Sequence, residues 1–102
     1  MKDIIIDDLI YEDDRPAHIA KHDVTIDEVI EVLLGDYVYI KQPSKRLMLV
    51  GITANDKYLT IILGERPKAN SYGLITAWSA SRQERRFYNE YVTKLGGEKN
   101  ED

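Results

Sequence analysis

The sequence predicts an α+β fold, and three observations carry that expectation. "TIDEVIEVLLG" is a capped amphipathic helix, and "SRQERRFYNEYVTKL" is a second one. Between them lie four short runs rich in β-formers, "DYVYIK", "KRLMLVGIT", "KYLTIIL" and "SYGLITAW". The helices lie outside the strand block rather than alternating with its strands, which favours a mostly antiparallel sheet of four to five strands over a parallel one. Two N-terminal helices and one C-terminal helix complete the expected layout.

The elements follow in chain order. "DIIID" is a β-branched run and predicts a strand near residues 3–7. In "DDRPAHIAKHD", Asp13 or Asp14 is suited to an N-cap and Pro16 to a first helical turn, so a short helix should reach about His22. His18, Lys21 and His22 share its polar face. Thr25 and Glu28 form a capping box. Ile26, Val29, Ile30, Leu33 and Leu34 then make one apolar stripe, which Gly35 closes.

The strand runs are parted by "QPS", "AND" and "GERPKAN", and the first two gaps suit hairpins. Within strands, Tyr37 and Tyr39 share one parity. So do Tyr58, Thr60 and Ile62, and so do Tyr72, Leu74, Thr76 and Trp78. If the intervening apolar residues face the helices, the other face is lined with Tyr, Thr and Trp. Ser81 and Glu84 form a second capping box, predicting a helix over about 82–95. Residues 1–95 should be a single domain and 96–102 a disordered acidic tail.

Composition narrows the function classes. With 43% hydrophobic and 31% charged residues, the chain is expected to be globular rather than disordered. No cysteine is present, which removes disulfides and thiolate metal sites. No apolar stretch approaches the roughly 20 residues of a membrane helix, and no signal-peptide run opens the chain, so a cytoplasmic protein with no membrane partner is expected. The net charge of -4 is unevenly placed. Residues 1–14 set one lysine against six acids and 98–102 add two more net negative charges, leaving residues 15–97 at +3. The body is mildly basic, so the overall acidity does not argue against a nucleic-acid partner.

His18 and His22 at i, i+4 have the spacing of a zinc pair, but no third ligand is evident and no metal or other cofactor is expected. No glycine-rich phosphate loop and no nucleophile-elbow serine occur. Lys21, His22, Arg46, Glu65, Arg66 and the arginines of the last helix are the parts that metal-free RNA cleavage needs: a base for the 2′-hydroxyl, an acid for the leaving oxygen, and cations for the phosphate. They are equally the parts of a solvated charged surface. The Tyr-Thr-Trp face would offer stacking for unpaired bases, or would pack on the final helix.

Three separated segments add a resemblance. "HIAKHDVTIDEVIEVL" resembles the N-terminal signature of BrnT-like ribonuclease toxins, an Ala-(Lys/Arg)-His-Gly-Val segment leading into an acidic helix. "KRLMLVGIT" and "YLTIILGER" are similar to their second and third strands. "LITAWSASRQERRFY" is similar to their closing block. The resemblance spans roughly residues 10–91. It implies a RelE-like fold, RNA cleavage without a metal, and a DNA-binding antitoxin as protein partner; a homodimer is also admitted. It implies His22 as acid or base with Glu65 as second proton carrier, and Lys21, Arg46, Arg66 and Arg82 on phosphate. Arg85, Arg86, Tyr88 and Trp78 would contact RNA, Arg85 and Arg86 equally an antitoxin, and Glu84 also falls within the closing block. The chain departs from the pattern at Asp23, where the family has glycine, and at Trp78, where it has arginine. The second departure implies binding with weakened cleavage, and a non-catalytic interaction module is the competing expectation.

Overall fold

A computed structural model describes the backbone of residues 4–100 and the side chains of residues 4–92. The elements are β1 (Asp8–Ile10), α1 (Arg15–Ala20), α2 (Ile26–Leu34), β2 (Tyr37–Gln42), β3 (Arg46–Ile52), β4 (Tyr58–Glu65), β5 (Ser71–Ser79) and α3 (Arg82–Asn100). The expected α+β class holds. Strands β2 to β5 form an antiparallel meander, and β1 adds to β5 in parallel, giving the order β1-β5-β4-β3-β2.

Both capping boxes form. Thr25 Oγ1 accepts from the Glu28 N–H at 3.1 Å while Glu28 Oε1 accepts from the Thr25 N–H at 2.9 Å. Ser81 and Glu84 repeat the exchange at the start of α3. The first strand lies later than the composition predicts. Ile4 and Ile6 pack on the core while Ile5 is exposed, but the ladder begins only where β5 can be reached, at Asp8 opposite Ser71. α1 is also shorter than expected, with Lys21 as its C-cap. α3 continues through Gly96 and Gly97, past the predicted end at residue 95. Each mid-helix glycine costs only about 1 kcal/mol relative to alanine, which weakens a helix without stopping it.

Each face of the sheet has its own core. α1 and α2 cover one, where Ile19, Val29 and Val32 meet Leu49, Leu59, Ile61 and Leu63. The other is smaller: α3 lies over β2 and β3, and Tyr88 packs with Val38 and Val50. The face assignment corrects the parity reading. Tyr37 and Tyr39 belong to the α1/α2 core, whereas Tyr58 and Thr60 face α3. Within β5 the parity itself breaks. Ile62 opposes Thr76, but Leu63 opposes Leu74, so Ile75 is an extra residue in a bulge. Tyr72 and Leu74 therefore join the α1/α2 core while Thr76 and Trp78 lie on the α3 face.

Among the described residues no helix is long and apolar enough to cross a membrane.

Candidate functional site

α3 meets β4 and β5 at Tyr58, Thr60 and Trp78 and then packs on β2 and β3, which leaves the far end of its face of the sheet open. The cross-strand registers put Ile40, Met48, the buried Ile62 and Thr76 in one row there, and Gln42, Arg46, Gly64 and Gly73 in the next. Arg46 is exposed at the end of this surface. Arg66 lies on the same face, because its Nε sits 3.2 Å from the point where a Cβ on Gly73 would stand.

α1 closes the outer edge. β1 pairs with β5 only as far as Gly73, so the edge of β5 beyond it is unpaired. α1 occupies that edge. Arg15 Nη1 donates to the Ile75 carbonyl at 2.9 Å, and His18 Nε2 meets Thr76 Oγ1 at 3.2 Å. One turn on, the His22 ring stands edge-on to His18, with centroids 5.7 Å apart. The helix ends because Asp23 turns left-handed at φ 63°, a conformation aspartate tolerates and most residues avoid. Lys57 Nζ then ties the Asp23 carbonyl to the Glu28 carboxylate. Two imidazoles are thus held at the rim of the open surface.

The opposite rim is the first turn of α3. Glu84 Oε1 accepts three hydrogen bonds: from Thr60 Oγ1 at 2.7 Å, from the Ser81 N–H at 2.8 Å and from Trp78 Nε1 at 3.1 Å. Burial alone would raise the Glu84 carboxyl, but the Ser81, Thr60 and Trp78 donors outweigh it and hold it below the usual carboxylate range. Glu84 is therefore an anion fixed in place, and Trp78 is half-buried against it.

The expected site residues divide. Arg46, Arg66 and Trp78 share the open face, His22 stands beside His18 at its rim, and Lys21 and Arg82 are exposed, at the C-cap of α1 and in the first turn of α3. Strand spacings near 4.8 Å and rises near 3.4 Å put the Arg46 and Thr76 Cα atoms roughly 12 Å apart, within reach of one or two nucleotides. Glu65 is the exception: it pairs with Tyr72 in the register of the α1/α2 core, where it helps raise the Tyr72 hydroxyl pKa that burial already pushes up. The sheet separates it from Arg46, while it lines one small cavity with Arg66. Arg85 lies over the Tyr58 ring at 5.6 Å, Arg86 is exposed, and the Tyr58 hydroxyl donates to Asn89 Oδ1. Tyr88 is only 9% exposed and packs edge-on against Tyr58, so the expected base contact is corrected to a core contact.

Sequence reasoning missed Arg15 and Thr76 and gave His18 no catalytic part. The i, i+4 pairing with His22 was the available signal for His18, but spacing does not say which imidazole turns to the sheet. Among the described residues no three His, Asp or Glu side chains gather as a metal site requires. Compared with known proteins, the chain matches no protein-family model and no curated protein sequence.

Proposed function

We propose that this protein binds single-stranded RNA on the open part of the α3 face and cleaves it there as a metal-independent endoribonuclease, in the manner of the BrnT-like toxins it resembles. One observation carries the reading: two imidazoles, two arginines with no ion pair among the described residues, and a half-buried indole border a single surface about 12 Å across. One imidazole takes the 2′-hydroxyl proton and O2′ attacks phosphorus. The P–O5′ bond breaks and the second imidazole protonates the leaving O5′, giving a 2′,3′-cyclic phosphate. His18 takes the second proton-carrying role in place of Glu65. Arg46 and Arg66 match the phosphate with their guanidinium forks, and Trp78 stacks on a base. The RelE-like arrangement and an antitoxin partner belong to the same proposal. Exposed Ile30, Leu34 and Ile40 supply apolar surface for such a partner.

The test is single-turnover incubation of a labelled RNA with the purified protein, scored for cyclic-phosphate ends. Cleavage should vanish in His18→Ala and His22→Ala and fall in Arg46→Ala. Binding without any cleavage would instead favour the non-catalytic module, which the absence of a third cation at position 78 already supports.

A further inference from the structure

A notch opens beside this surface, between the end of β1, the start of α1 and the β4–β5 pair. It encloses about 230 Å³. Its floor is the cross-strand glycine pair Gly64 and Gly73, and the Ile75 side chain lies against Gly64, with Cδ1 3.1 Å from where a Cβ there would stand. Arg15 and Arg66 line it, together with two acids, Glu12 and Glu65.

Neither arginine is fully used. Arg15 spends Nη1 on the Ile75 carbonyl, and its nearest carboxylate is that of the exposed Asp14, at 3.9 Å. Its Nε is buried and has no hydrogen-bond partner. A charged donor left buried and unpaired is destabilising unless something completes it. Arg66 makes no ion pair and no side-chain hydrogen bond among the described residues, and it lies flat on Gly73, with Nε at 3.2 Å and Cζ at 3.4 Å from the missing Cβ. Any larger residue at position 73 would displace it.

We infer that this notch seats a single phosphate group between Arg15 and Arg66. Its volume falls below the roughly 300–1,000 Å³ of pockets that take whole drug-sized molecules. Neither Glu12 nor Glu65 forms an ion pair with Arg15 or Arg66 among the described residues, and the planar guanidinium forks suit tetrahedral oxyanions. The phosphate is either inorganic phosphate or one belonging to an RNA strand; only the second source rests on the function proposed above.

The experiment titrates inorganic phosphate into the native protein and into Arg66→Gln, Gly73→Ala and Glu12→Gln, by heat of binding and by backbone amide shifts. Native protein should bind one phosphate. Arg66→Gln should weaken binding roughly tenfold or more, as expected for a lost charge-assisted hydrogen bond. Gly73→Ala should weaken it with the charge retained, and Glu12→Gln should tighten it. An unstructured oligonucleotide is then added as competitor. If it displaces phosphate, RNA supplies the group; if phosphate binds and the oligonucleotide does not compete, the seat stands and the RNA reading fails. No saturable phosphate binding, or binding unchanged in both Arg66→Gln and Gly73→Ala, overturns the seat.

Discussion

The indole Nε1 of Trp78 donates to Glu84 Oε1 across 3.1 Å, joining the last residues of β5 to the first turn of α3. An arginine at position 78, which the resemblance leads one to expect, would meet the same carboxylate. Trp78→Arg should therefore form an ion pair with Glu84 and gain little cleavage. Adding Glu84→Gln would free the guanidinium for phosphate, where one electrostatic stabiliser is worth ~10²–10³ in rate. Single-turnover cleavage by the single and double variants checks this, and a full gain in the single variant would refute it.

Glu84 also makes stability depend on acid. Its folded-state pKa is lowered, so its contribution is fully present above the unfolded value of about 4.3 and is lost as pH falls through the lower folded value. Urea midpoints measured between pH 6 and pH 2.5 should fall more steeply for the native chain than for Glu84→Gln. Parallel profiles would show that the three donors do not favour the charged form.

Asp23 sits at φ 63° with its side chain almost wholly exposed. Asp23→Gly should fold as stably as the native chain, because glycine adopts this backbone freely. Asp23→Val should lose about 1–2 kcal/mol, the penalty of a left-handed backbone for a branched side chain. Denaturation curves of the two variants would separate them.

Gly51 permits the close approach of α2 to β3. A Cβ there would stand 2.6 Å from Val32 Cγ1 and 3.1 Å from the Asp36 carbonyl oxygen. Gly51→Ala should cost about 1–3 kcal/mol by overpacking. Val32→Ala should recover only part of it, since the Asp36 oxygen is backbone. Additive losses in the double variant would show that the two positions do not meet.

Local rules made the helices and the meander legible, because a capping box and an i, i+4 stripe are complete within a dozen residues. The Ile75 bulge was not legible. An extra apolar residue in "LITAW" leaves the alternation looking regular, so the faces of Tyr72 and Leu74 were read as those of Thr76 and Trp78. The same limit governs the site. Arg46 and Trp78 stand out as chemistry on strands, whereas Arg15 and His18 matter only because α1 lies along an unpaired strand edge, a relationship that spans 60 residues in the case of Arg15 and Ile75. Glu65 entered from the resemblance alone; it alternates in step with Leu63, and that parity sets it on the α1/α2 side of the sheet.

The parallel β1–β5 pairing has a consequence for how the molecule assembles. Asp8 meets Ser71 and Arg15 meets Ile75, so the first two elements of the chain close against the last strand. Loop-closure entropy rises with the length spanned, and the hairpins of the meander close far shorter loops. The meander is thus the part able to form early, and the N-terminal arm docks onto a finished edge. During synthesis that arm leaves the ribosome before β5 does and waits for its partner strand. The imidazole rim of the open face, carried on α1, is then among the last parts of the protein to take shape.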